Sequence, residues 1–287
     1  MSDFTTHYIT AKRAEKEMDL SPEEMRGMLF GVEGPDYLFY ASIFTRSEET
    51  NFGYQFHNYT PKKFFEKCFC DLKDVKNPNY LQKRGYILGQ LLHYFGDTTI
   101  HPYISYLEDN KNATGFKYIH MQNESEIDLL LYEYEFGTSI NDFNPLKEFK
   151  FDKNLQQAIF EVWQNQDVQP ISKKVIKTGS KRLALSGKIF NMNKFKWLLK
   201  LVEPKSAEGF FMCHYKDDRN EAVMNFERAE WDFEGRVSNM SIPDIIDTTM
   251  EKFYAEMEKI NACLASGEEY IFQHNQDYGG SVNEKVI

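Results

Sequence analysis

Several features are scarce or missing in this 287-residue chain, and each absence excludes a class of protein. There are four cysteines, Cys68, Cys70, Cys213 and Cys263, and no two of them form a Cys-x-x-Cys pair. They read as free thiols in a reducing compartment. No apolar run approaches the length of a membrane span. The opening stretch from Met1 to His7 has neither a basic nor an apolar region of the signal-peptide kind, so the expected location is cytoplasmic. The serine-hydrolase elbow, the phosphate-binding P-loop, the dinucleotide GxGxxG and the zinc-protease HExxH are all missing. No histidine is followed directly by aspartate, which phosphohydrolases built on a His-Asp dipeptide require. An excess of basic residues is missing too. The formal charge of -10 disfavours anionic membranes and nucleic acid as loose partners, and no stable nucleic-acid complex is expected. A substrate phosphate is still allowed, because bound cations reverse the local sign.

What is present is an ordinary globular composition, 41% hydrophobic and 27% charged, with aromatics raised to 15% to fill interfaces between helices. The hydrophobic spacing is helical nearly throughout. Helices are expected over residues 10–30, 58–72, from Leu81 to about Phe95, and over 117–135, 153–167, 170–183, 191–202 and 243–265. Ser21-Pro22-Glu23-Glu24 has the chemistry of a helix start. His101-Pro102 is expected to open a fresh element, since proline biases the residue before it away from the helical region. Residues 110–115 read as a loop, 209–215 as strand or helix, and 267–287 as an irregular tail. The fold class is all-α, a single domain over residues 1–287. Residues 1–135 carry the chemistry, and 136–287 supply C-terminal helices and the tail.

Five of the seven histidines fall in one ordered series with acidic partners: His57, His93-x-x-x-Asp97, His101-Pro102 and His120-x-x-x-Glu124, with His7 and the Gly34-Pro35-Asp36 turn upstream. A spacing of four puts two side chains one turn apart on one helix face. Imidazole nitrogen and carboxylate oxygen are both ligands that zinc accepts. For His93 and Asp97, in a very apolar helix, the alternative is a hydrogen bond that seals the helix end. A carboxylate buried there without partners costs several kcal/mol. If that helix continues, His93, Asp97 and His101 stack one turn apart. That span is too long for one small ion but suits two, with Asp97 between them. Asp128 extends the face of His120 and Glu124, and that pair has a solvated stripe as its alternative. Asp36, His7 and His57 taken singly are ordinary turn or packing residues. His214 and His274 sit in no such pattern.

Taken in order, these pieces resemble the zinc-dependent phospholipase C and P1-type nuclease family, nearest to a bacterial branch labelled zinc-dependent phospholipase C. The flanking text is similar too, in Gly34-Pro-Asp-Tyr-Leu-Phe-Tyr40 and in residues 86–95. The resemblance covers about residues 1–135. It implies an all-α fold with a metal cluster in a cleft, and two or three zinc ions, with other divalent metals accepted. One ion would be held by Asp36, His57, His93 and Asp97, and a second by His101, His120 and Glu124. A third would use His7, Asp97 and the chain's own N-terminus, which would be Ser2 once Met1 is trimmed. The implied activity is phosphodiester hydrolysis, with Asp36 as the catalytic residue that orients or deprotonates water. The substrate is a phosphodiester, with phospholipid as the candidate, and Tyr37, Phe39 and Phe56 either contact it or pack the core. The alternatives are a nuclease or nucleotide phosphatase on the same fold, and a metal-binding interaction protein of little turnover.

Overall fold

The computed structural model describes residues 4–41, 48–110, 120–167, 171–190 and 220–287. The expected elements at 191–202 and 209–215, the loop at 111–115, His214, Cys213 and the N-terminal Met1–Asp3 lie outside these residues. The molecule is mostly helical. Ten α-helices are described: α1 Phe4–Glu17, α2 Pro22–Gly31, α3 Glu48–His57, α4 Lys62–Asp71, α5 Tyr80–Asp109, α6 His120–Phe136, α7 Pro145–Glu148, α8 Lys153–Gln164, α9 Lys173–Phe190 and α10 Ile242–Ser266. Asp36–Tyr40 forms a short 3-10 turn. The described strands are an antiparallel pair, β1 Trp231–Phe233 and β2 Arg236–Ser238, which weak alternation in the sequence did not announce.

The stretch expected as one helix over residues 10–30 is two. The chain breaks after α1, and Ser21 restarts it with a capping box in which Ser21 and Glu24 satisfy each other's backbone N–H groups. The largest correction is in α5. Its 30 residues, about 45 Å, run straight past Pro102. Proline's φ is helical, and its cost is the hydrogen bond its missing N–H cannot give to the carbonyl four residues back. Burial of Ile100, Tyr103, Ile104 and Leu107 on both sides of Pro102 offsets that loss. The three stacked side chains of α5 therefore stay in helical register.

This helix is the axis of the fold, with α2, α10, α8, α1, α4, α6 and β1 packed round it. Against α2 the approach is so close that only glycines fit. A Cβ on Gly85 would fall on the backbone of Glu24, and one on Gly31 on the backbone of Tyr86. The buried indole of Trp163 in α8 donates to Tyr86 Oη at 2.9 Å, which ties α8 to the same axis. The tail is irregular as expected, yet it is anchored. Thr60 N donates to Lys285 O and Ile287 N to Thr60 O. Cys68, Cys70 and Cys263 are free. No described helix is long and apolar enough to cross a membrane.

Candidate metal centre

Each side chain of the histidine series is brought to the same place by a different local device. His7 rides on the first turn of α1. Asp128 of α6 holds that turn, accepting from Thr5 N at 3.0 Å, Thr6 N at 2.7 Å and Thr6 Oγ1 at 2.6 Å. A carboxylate on the open N–H groups of a helix start is favoured by both hydrogen bonding and the helix dipole. Asp128, four residues past Glu124 on α6, thus caps α1. Asp36 follows the Gly34-Pro35 turn at the end of α2. Gly34 sits at φ +50°, and a Cβ there would fall on the His93 ring. The turn needs glycine for its backbone angle and for its approach to the histidine.

Three histidines have the same orientation device. His57 Nδ1–H donates to Gly53 O at 2.7 Å, His93 Nδ1–H to Val32 O at 3.0 Å and His101 Nδ1–H to Tyr278 O at 2.8 Å. A carbonyl only accepts, so each bond places a proton on Nδ1 and turns Nε2 toward the carboxylates inside. Ligating histidines are held in this way. The fourth, His120, spans two carboxylates, with Nδ1 2.9 Å from Glu108 and Nε2 2.8 Å from Glu124. Those two anions push its imidazole up to about 9 against the opposing effect of burial.

Inside, the distances are short. His7 Nε2 is 3.2 Å from one oxygen of Asp97 and His93 Nε2 is 3.3 Å from the other. His57 Nε2 is 2.9 Å from Asp36. His101 Nε2 is 3.6 Å from Glu124. Two ligands on a tetrahedral zinc, each about 2.1 Å from it, lie about 3.4 Å apart, so the donor atoms are already spaced for a shared ion. They fall into three groups whose ligand atoms all lie within 4.8 Å of one another: Asp36, His57 and His93; His7, His93 and Asp97; and His101, His120 and Glu124. His93 belongs to two groups, and Asp97 lies between His7, His93 and His101 as the stacking on α5 requires.

At His93 and Asp97 burial and charge set a neutral imidazole beside an anionic carboxylate, a donor pair that suits a cation. Burial pulls the His93 imidazole down to about 4, so it is neutral at physiological pH and its Nε2 is a free base. Burial resists charge on Asp97, but His93, His101 and His7 outweigh it and hold the carboxyl far below its usual range. His93 Nε2 and Asp97 Oδ1 are fully buried and neither makes a hydrogen bond of good geometry among the described residues. A buried polar atom left in that state costs free energy. An ion between these two atoms would remove the penalty, so the donors present fit a divalent metal of the N/O-ligated kind.

All eight residues of the expected ligand set converge: His7, Asp36, His57, His93, Asp97, His101, His120 and Glu124. Of the aromatic candidates, Tyr37 and Phe56 are core residues, whereas Phe39 is half-buried against His57 with ring centres 5.3 Å apart. Glu108 and Tyr278 were not anticipated. Glu108 lies seven residues past His101, so the helical period carries it onto the same face of α5. Tyr278 had no local signal, because it reaches His101 from 177 residues away. Its ring also packs on His57 and His93, at 5.0 and 5.6 Å between centres.

Residues 6–177 match the family model described as zinc dependent phospholipase C. No curated protein and no solved structure gives a significant match. The matched segment holds every residue of the three donor groups and more than half of the chain. The chain therefore belongs to the zinc dependent phospholipase C family.

Proposed function

We propose that this protein is a zinc-dependent phosphodiester hydrolase of phospholipase C type, with phospholipid as its substrate class. The observation that carries the reading is the convergence of three N/O donor groups round Asp97 inside the family-matched segment. In this reading Asp36, His57, His93 and Asp97 hold one ion, and His101, His120 and Glu124 a second. His7 and Asp97 contribute to a third. When bound, such ions acidify water and neutralise charge on phosphoryl oxygens.

The chain's own residues supply position and proton transfer. Gly53, Val32 and Tyr278 carbonyls keep three imidazoles from rotating, so the donor set needs little reorganisation when it is filled. Asp36 is the catalytic residue. Burial resists its charge, but His57 and His93 hold the carboxyl below its ordinary value, so it is an anion at neutral pH. In this reading it orients the attacking water and accepts its proton as the new P–O bond forms. The bond to the alcohol then breaks, the departing oxygen takes a proton from water, and Asp36 returns the proton it accepted to solvent.

The test is metal content per chain by elemental analysis, on wild type and Asp97→Asn, with bis-p-nitrophenyl phosphate turnover in parallel. Two or three ions in wild type, partly lost together with turnover in the variant, are expected. Metal-replete wild type that holds no ion would overturn the reading.

A further inference from the structure

The formal charge of -10 is not spread evenly. Between Asp167 and Glu203 the sequence has nine lysines and arginines and no acid. The described part of this stretch is α9. Lys173, Lys177 and Lys181 follow one another at four-residue spacing, Leu185 continues the row, and Lys174 lies beside it. All five side chains are exposed, Leu185 at 48%. Ile176, Gly179, Ser180 and Leu183 are buried on the other side of the helix. Like charges four apart on a helix repel, so the stripe weakens its own helix. Some lysines elsewhere are paired with acids, as Lys67 is with Asp167 and Lys12 with Glu15. Among the described residues, Lys173, Lys174, Lys177 and Lys181 have no acidic partner. Lys173 lies over the Phe160 ring at 4.7 Å.

The inner side of α9 is fastened to the turn that carries Asp36. Gly179 packs so tightly on the Tyr37 carbonyl that a Cβ there would overlap it. Arg182 donates to Tyr40 O at 3.2 Å and to Ala41 O at 2.7 Å. A cationic face with an apolar residue in its row, on an otherwise acidic molecule, complements an anionic bilayer.

We infer that the outer face of α9 docks the protein on anionic phospholipid surfaces, which orients the Asp36 turn relative to the membrane. Lipid is chosen over nucleic acid because Leu185 stands in the basic row, and because the site is read as phospholipase C-like. Docking needs no turnover, so the two readings fail separately.

The test uses unilamellar vesicles of phosphatidylcholine alone, or with 30% phosphatidylglycerol, sedimented with the full-length protein in about 0.1 M and 0.5 M NaCl. Each lysine near such a surface strengthens binding about fivefold at low salt. Lys174→Gln/Lys177→Gln/Lys181→Gln should therefore bind anionic vesicles roughly a hundredfold more weakly than wild type. Wild type should release at the higher salt and ignore neutral vesicles. The triple variant should melt no lower than wild type and hydrolyse bis-p-nitrophenyl phosphate at the same rate. Equal binding by wild type and variant, or no binding by either, overturns the inference. So does binding of a labelled single-stranded oligonucleotide through these lysines while vesicles stay unbound.

Discussion

Two buried histidine–carboxylate clusters in this molecule look alike in composition and differ in what their atoms do. At the C-terminal side, Glu256 of α10 accepts from Tyr270 Oη, from Lys259 Nζ at 2.8 Å and from His274 Nε2 at 3.0 Å. Its oxygens are filled by protein donors, and the cluster is complete as it stands. At Asp97 the carboxylate faces Nε2 of His7 and of His93 at 3.2 and 3.3 Å, and His93 Nε2 and Asp97 Oδ1 make no hydrogen bond among the described residues. One arrangement joins two elements of the fold. The other leaves buried acceptors unsatisfied among the described residues, and a cation would satisfy them together. The difference teaches that proximity of His to Asp or Glu is not what marks a ligand set. Buried acceptors left without donors are the better mark, and in this chain backbone carbonyls on the far side of three rings fix how those rings are turned.

The sharpest way to break this comparison is to remove the acid from each cluster in turn. Asp97→Asn should lose metal and at least about a thousandfold in turnover, because one carboxylate serves several donors. Glu256→Gln should keep both. Loss of metal in Glu256→Gln would mean that the two clusters are not distinct.

Stripping metal with a chelator should lower the melting temperature by about 10 °C or more, because filled donors stabilise only the folded state. Glu256→Gln should show the same drop on chelation. A calorimetric scan with and without chelator checks this, and an unchanged melting temperature in wild type counts against a stabilising ion.

A smaller effect is expected from the tail. Gly280 lies at φ +80°, and a Cβ there would come within 2.7 Å of Pro102 Cγ and 2.9 Å of Thr98 O. Gly280→Ala should push the Tyr278 carbonyl away from His101 and weaken metal binding about 10- to 100-fold. Tyr278→Phe keeps that carbonyl and should leave affinity unchanged. Competition titration against a chromophoric chelator distinguishes the two variants.

The smallest effect is a pH dependence at Glu256. Burial opposes its charge, but His274, Lys259 and Tyr270 outweigh it and hold the carboxyl at about 2. A depressed carboxyl stabilises the fold above its unfolded value near 4.5 and loses that contribution as pH falls towards 2. Glu256→Gln should thus be about 1–3 kcal/mol less stable than wild type at pH 7, with the gap closing between pH 4.5 and 2. Urea unfolding at pH 7 and pH 3 measures it. A gap that is the same at both pH values would show that the ionised form contributes nothing.

Much of the donor set was legible in the linear order of residues because most of it lies on helices. On α5 the period of 3.6 residues alone stacks His93, Asp97 and His101, and on α6 it pairs His120 with Glu124. The reading failed where a local preference was overruled by packing. Pro102 looked like a start and is interior, because buried neighbours on both sides offset one lost hydrogen bond. Residues 10–30 looked continuous, although the Ser21 cap marked the break. That Asp128 caps the α1 terminus had no local signal, because the contact joins residues 122 or more apart in the chain. Glu108 followed from the same helical period and was simply not carried far enough along α5.

By itself, the order of residues determined that this is a helical protein, which residue types could ligate, and that His93, Asp97 and His101 share one helix face. Those properties depend on the backbone period and on chemistry within one turn. The tertiary structure alone decided that α1, the Asp36 turn, α3, α5 and α6 meet at one point. It also decided which carbonyls turn the imidazoles inward, and that Tyr278 of the tail is one of them. Such contacts join segments with no periodic relation, and their geometry exists only once glycine-to-backbone packing has set α2 and the tail against α5.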